Sequence, residues 1–258
     1  MKKKCSAKNV GVLSKNLWSV KDLDARIVGM MKKRVLAPAL ADSLLQLHKD
    51  LMLCESFLGS LHNTKDNIRK TLDLVNLQIG GGVRYLSGFV NVDVFPPADV
   101  IWDCRYGLPF GNNRFKFVFS EHFLEHVGFP ESAKTVVREI HRVLKPGGAL
   151  LLGVPDGGKT VKGYVNQKNH FLKTLYDRCY RERRPRTEIY GGIDVINYLF
   201  RDQIENPKYT THRWAYDAVS LKKMLKDAGF RKVVTASFDP RYCNPKRAFY
   251  TFYIKAIK

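Results

Sequence analysis

Leu74-Val-Asn-Leu-Gln-Ile-Gly-Gly-Gly-Val-Arg-Tyr-Leu-Ser-Gly-Phe-Val-Asn-Val-Asp93 is the stretch on which the fold reading turns. The apolar alternation Leu77, Ile79 enters three consecutive glycines, Gly80, Gly81 and Gly82, and a second β-rich run from Phe89 delivers one carboxylate, Asp93. Glycines after a buried strand let the backbone take positive φ and approach a ligand closely. An acid at the tip of the neighbouring strand can accept both hydroxyls of a ribose. The layout is that of a nucleotide site, although a glycine triplet alone is more often the mark of a tight turn.

Downstream, short apolar runs alternate with a helical pattern. After a Pro96-Pro97 turn, Val100-Ile101-Trp102 ends at Asp103, and Leu108 to Asn113 has turn chemistry. Phe115 to Phe119 alternates as a strand and runs into Ser120-Glu-His-Phe-Leu-Glu-His126. Pro130 opens a helix with Ala133, Val136, Val137, Ile140, Val143 and Leu144 on one face, stopped by a turn at Lys145-Pro-Gly-Gly148. Ala149 to Val154 is the continuous apolar run of a strand buried on both faces. Strands alternating with helices predict a parallel α/β sheet.

Residues 157–216 break that rhythm with glycines, then Arg178, Arg181, Arg183, Arg184 and Arg186, then an aromatic helix around Ile196 to Phe200. An insertion of this length is expected to build a lid or acceptor pocket. Asp217 is placed to cap a helix carrying Leu221, Met224, Leu225 and Ala228, and strands over Lys232–Phe238 and Ala248–Ile257 finish the chain.

Upstream, residues 1–35 are basic and weakly patterned. From Pro38, the positions Leu40, Leu44, Leu47, Leu51, Cys54, Leu58 and Leu61 form a narrow helical seam. Such a seam either docks on the main domain or makes a homodimer helix over residues 38–61. The expected division is a basic helical N-terminal extension over 1–72 and the α/β domain over 73–258.

With 258 residues, 45% of them hydrophobic, the chain can bury a full core. Its 44 Lys and Arg against 24 Asp and Glu give a formal charge of +20, which favours anionic partners: nucleic acid, phosphorylated sugars, nucleotide-linked substrates or acidic membrane. The five cysteines are scattered without ligand spacing, so a reduced, cytoplasmic chain without a metal site is expected. The sequence holds no signal-peptide core and no apolar run long enough to span a bilayer.

Four segments resemble the class I S-adenosylmethionine-dependent methyltransferases of the type 11 group. They are Leu77-Gln-Ile-Gly-Gly-Gly82, Val90-Asn-Val-Asp93, Leu108-Pro-Phe110 with Phe115 to His126, and Arg142-Val-Leu-Lys-Pro-Gly-Gly148 leading to Val154-Pro-Asp156. The chain is most similar to predicted bacterial methyltransferases associated with surface-polysaccharide synthesis, which it also resembles at His212 to Asp217 and Leu225 to Phe230. The resemblance spans residues 74–258. It implies a Rossmann-like fold with a seven-stranded, mainly parallel sheet, helices on both faces, and S-adenosylmethionine as cofactor.

By position, the resemblance assigns Gly80, Gly81 and Gly82 to the methionine part of the cofactor and Asp93 to its ribose. It assigns Asp103 to the adenine amino group, and Ser120 and Glu121 to the border of the reacting centre. His122 is the first candidate for a general base, His126 the second, and Asp156 either caps a turn or faces the acceptor. His212 either reaches the pocket or shapes its loop. Gln78 stands where many relatives have an acid, which removes a charge facing the cofactor's ammonium. The acceptor the resemblance and charge point to is a small molecule or glycan, saccharide-type and phosphate-bearing. RNA is the alternative acceptor, and a non-catalytic binding module that keeps the fold is a third reading.

Overall fold

The computed structural model describes residues 17–31, several positions between 40 and 55, and residues 64–166, 170–181, 188–200 and 212–258. Cys5, the basic residues 32–34, the seam positions Cys54, Leu58 and Leu61, and Arg183, Arg184 and Arg186 lie outside the described residues.

Seven strands form one sheet in the order β3-β2-β1-β4-β5-β7-β6. They are β1 (Asn76–Ile79), β2 (Val90–Asp93), β3 (Val100–Ile101), β4 (Phe115–Glu121), β5 (Leu144–Pro155), β6 (Lys232–Ala236) and β7 (Thr251–Ile257). The first five pair in parallel, and β7 runs antiparallel to both neighbours. The expectation of a mainly parallel, Rossmann-like sheet therefore holds. The chain moves outward from β1 to β3, then returns to place β4 on the other side of β1. At such a reversal the loops beyond β1 and β4 part and leave a crevice at the strands' carboxyl ends.

Burial follows the apolar pattern. Leu77, Ile79, Val90, Val92, Val118, Leu150, Leu152 and Val154 are all buried in the main core. Helix α3 (Glu131–Val143) lays Ala133, Val136, Val137, Ile140 and Val143 on it. Helix α7 (Ala218–Asp227) adds Leu221, Met224 and Leu225, and Asp217 caps it through a reciprocal box with Ser220. The opposite sheet face has its own cluster of Phe89, Phe119, Leu151, Cys243 and Tyr253.

Four local expectations change. Helix α1 (Leu17–Met31) occupies part of the stretch that read as weakly patterned, and a short helix α2 (Thr64–Arg69) precedes β1. Lys145 to Gly148 ends the preceding helix as expected, but these residues already belong to β5, with a register shift against β4 between Phe115 and Phe117. β7 begins at Thr251 because the Tyr250 amide turns back onto the Arg247 carbonyl at 3.1 Å.

The insertion is also more regular than its composition suggests. It contains α4 (Gly157–Val165), α5 (Phe171–Leu175) continued by a wider turn of helix over Tyr176–Arg181, and α6 (Gly192–Phe200). Phe171, Leu175, Tyr180, Val195 and Leu199 give it a small core of its own, closed by Tyr250.

Candidate active site

The tips of β1 and β2 are joined by a backbone-to-carboxylate bond. Gly80 and Gly82 take φ of 67° and 57°, the left-handed region that suits glycine. That path aims the Gly82 amide at Asp93, which accepts it on Oδ2 at 2.8 Å, while Oδ1 accepts the Phe95 amide at 3.1 Å. Asp93 is 7% exposed, and burial raises its pKa against the opposing pull of these amides. Each carboxylate oxygen has a second lone pair, so acceptor capacity remains.

Close approach dictates two of the glycines. A Cβ on Gly80 would lie 2.5 Å from Phe123, and one on Gly81 would lie 2.6 Å from Gln78 Nε2 and 2.7 Å from the Arg84 carbonyl. The Gln78 amide is engaged within its own loop. It donates to Arg84 O at 3.0 Å and accepts from Leu86 N at 3.2 Å, stitching the loop internally.

Other cofactor candidates are held by protein groups. Asp103 caps a short turn and takes Arg105 in a two-toothed pair, with contacts down to 2.6 Å. Ser120 is fully buried and donates to the Ile79 carbonyl at 3.0 Å, locking β4 to β1. Glu121 accepts from Tyr253 Oη at 2.8 Å and the Asn244 amide at 3.0 Å, with Arg84 at 3.4 Å. It ties the glycine loop to the C-terminal hairpin.

Beyond β4, His122, with φ 55°, turns the chain into a tight turn over Leu124–His126. The ring of His122 is tethered through Nε2 to Thr251 Oγ1 at 2.7 Å. Thr251 uses its only hydroxyl proton on the Arg247 carbonyl, so Nε2 must be the protonated nitrogen and Nδ1 the lone pair. That lone pair lies 3.4 Å from Glu125 Oε1. Burial, then the nearby Arg247, His212 and His126, push the His122 pKa well below its ordinary value, and burial pushes that of Glu125 up.

The far end of the insertion closes over this turn. The amides of Arg213 and Trp214 both donate to the Glu125 carbonyl, at 2.7 and 3.2 Å. Tyr216 bridges to Asp156, and its carbonyl accepts the Gly157 amide at 3.0 Å. Asp156 caps α4 by accepting the Lys159 amide at 2.8 Å. His212 comes within 4.0 Å of Glu125 and stacks edge-on to His126 at 4.7 Å.

The structure thus gathers His122, His126 and His212 at one turn, while Asp156 serves as a helix cap nearby. Glu125 and Thr251 were not singled out in the sequence. Glu125 had a readable signal, lying three residues after His122 and beside His126, whereas Thr251 had none.

A sheet reversed at β1/β4, with an antiparallel β7 inserted between β5 and β6, settles the architecture. This is the class I methyltransferase fold. Residues 98–152 match the family described as a methyltransferase domain. No match to the chain is found among curated proteins.

Among solved structures, a methyltransferase from Methanosarcina mazei is similar at 20% identity, over 74% of this chain and 96% of that one, with a TM-score of 0.41. One from Archaeoglobus fulgidus is similar at 16% identity, over 80% and 98%, with a TM-score of 0.39. One from Aquifex aeolicus is similar at 13% identity, over 74% and 88%, with a TM-score of 0.38. All three are described as dependent on S-adenosylmethionine.

The methyltransferase fold and the matched segment support an S-adenosylmethionine-dependent enzyme. The residues present fit that cofactor in two respects. The β1 tip bends through Gly80 and Gly82 at positive φ, and an acceptor-only anion stands beside that bend at the β2 tip; the space directly over Gly80 is taken by Phe123. No helix among the described residues is long and apolar enough to cross a membrane.

Proposed function

We propose that this chain transfers a methyl group from S-adenosylmethionine to an oxygen or nitrogen of a saccharide-type, phosphate-bearing acceptor. The observation that supports the reading is the Gly82–Asp93 bond at the point where the strand order reverses: a bent glycine backbone stands beside an acid that, on this reading, takes the ribose hydroxyls. The acceptor class is supported by the net charge of +20 and by Arg178 and Arg181 on the insertion that covers the turn after β4. The free thiols of Cys104 and Cys243 support a cytoplasmic setting.

When bound, S-adenosylmethionine supplies a methyl already activated on a sulfonium. The chain's own residues then have to align the acceptor and exclude water. Phe123 sits on Gly80, Tyr250 stands edge-on to His122 at 5.2 Å, and Phe129 stacks on Trp214 at 4.4 Å, so apolar rings wall the region. A hydroxyl acceptor has to lose a proton. His122 can take it only at Nδ1, since Nε2 is held on Thr251, and Glu125 beside Nδ1 would stabilise the resulting charge.

The test is Asp93→Ala, titrated with S-adenosylhomocysteine by calorimetry. Removing one charge-assisted acceptor predicts a loss of about 10- to 100-fold in affinity. Unchanged affinity in a folded variant refutes the cofactor pose. Incubating the wild-type chain with methyl-labelled cofactor and fractionated cell extract should then put label into glycan; label in RNA instead would replace the acceptor class.

A further inference from the structure

Glu125 is the most anomalous group in the described structure. It is 1% exposed, and neither carboxylate oxygen has a hydrogen-bond partner. A buried carboxylate without a donor is strongly destabilising, so native structures pair it or give it a metal. The imidazoles of His122 and His212 do not supply the missing donor, and the Tyr216 hydroxyl on the same cavity is likewise without a hydrogen-bond partner. His122 Nδ1, at 3.4 Å, is a lone pair because Nε2 carries the proton to Thr251.

The same reasoning applies to His212. Its Nδ1 faces the Leu199 carbonyl, which can only accept, so Nδ1 carries the proton and Nε2 points its lone pair toward Glu125 Oε1 at 4.0 Å. An imidazole whose outer N–H is fixed on a backbone carbonyl, leaving Nε2 bare and oriented, is the usual posture of a metal-ligating histidine. Ligand atoms of Glu125, His126 and His212 all lie within 4.8 Å of one another. Beside them Glu125, Trp214 and Tyr216 line a cavity with room for a single water-sized occupant.

A proton on Glu125 would satisfy one of these lone pairs and leave the others facing one another. A cation satisfies them together. We propose that Glu125, His126 and His212 form a binding site for a divalent first-row transition metal of the zinc type. The donor set of two imidazoles and one carboxylate suits Zn²⁺ or Mn²⁺, whereas Mg²⁺ prefers oxygen ligands and keeps its waters. Three protein ligands leave a position open for water or another oxygen ligand.

The site joins two parts of the chain. Glu125 and His126 belong to the turn after β4, and His212 to the end of the insertion, so the ion clamps the insertion onto the sheet. It stands on this geometry alone and does not depend on the methyl-transfer reading.

The full chain, stripped with chelator, is titrated with Zn²⁺ against a chromogenic competitor, and bound metal is counted by mass spectrometry. One Zn²⁺ per chain is expected, with Mn²⁺ weaker and Mg²⁺ weaker still. Glu125→Gln and His212→Ala should each weaken Zn²⁺ by at least about 100-fold, since losing even a hydrogen-bond partner of a ligand costs about 10- to 100-fold. His126→Ala provides a third variant if either of these fails to fold, folding being checked by far-ultraviolet circular dichroism without metal. Failure to bind Zn²⁺ in the wild-type chain, or Zn²⁺ affinity unchanged in the folded variants, overturns the site. S-adenosylhomocysteine binding, measured in parallel on the stripped chain, reports on the methyltransferase reading separately.

Discussion

Gly80→Ala tests whether the β1 tip is as tightly constrained as its geometry implies. Two costs add. Holding a non-glycine residue at φ 67° costs about 1–2 kcal/mol. Placing a Cβ 2.5 Å from Phe123 forces a shift, and overpacking of this kind costs about 1–3 kcal/mol. The sum, roughly 2–5 kcal/mol, corresponds in a chain of this size to a fall in Tm of roughly 4–20 °C.

The two contributions separate in a double-mutant cycle. With Phe123→Ala already in place the clash partner is gone, so Gly80→Ala should cost only the backbone part, about 1–2 kcal/mol. The coupling between the sites is then about 1–3 kcal/mol, read from urea unfolding of the four proteins by circular dichroism. An equal cost of Gly80→Ala in both backgrounds would show that Phe123 does not confine the glycine, and a cost well under 1 kcal/mol would remove the strain argument altogether.

Two further outcomes follow from the packing around the sheet. Glu139 holds Arg142 through two bonds of 2.7 Å and takes the Leu108 amide at 2.7 Å; burial alone would raise its pKa, but these bonds outweigh it and lower the value from 4.5. Because the folded pKa is the lower one, its contribution is complete above pH 4.5 and is lost as pH falls through the folded value. Glu139→Gln should therefore flatten the acid limb of the stability curve, measured as urea midpoints across pH, and an unaltered limb would refute the assignment. Asp217→Ala removes the α7 cap and should lower stability by about 1 kcal/mol, or about 2–4 °C in Tm by calorimetry, whereas an unmoved Tm would mean that the cap is dispensable.

Much of the sheet was legible because its strands are short apolar runs bounded by glycine, proline and acid. Val90 to Asp93, buried on every position, and the α3 face from Ala133 to Val143 follow directly from spacing. Position in sequence also placed Asp93 next to the glycine turn, since neighbouring parallel strands bring their carboxyl ends together.

Side-chain direction was not legible. Nothing local tells that Asp103 turns to Arg105, that Ser120 turns inward to the Ile79 carbonyl, or that Gln78 closes its own loop. These outcomes depend on partners two to more than forty residues away. The His122 tautomer depends on Thr251, which lies on a strand formed far along the chain. Glu125 reads as an exposed turn acid until the segment from His212 to Tyr216 is laid over it.

The pairing of Gly157 with Tyr216 means that the insertion leaves and re-enters the sheet at one doorway, its two ends held 3.0 Å apart by backbone. A loop closed at its base can change length with little penalty, since closure entropy grows only logarithmically with size. Its apolar cluster of Phe171, Leu175, Tyr180, Val195 and Leu199 travels with it, apart from the contacts to Phe249 and Tyr250. The arrangement lets the segment between Asp156 and Asp217 change in length or sequence while the strands beneath keep their register.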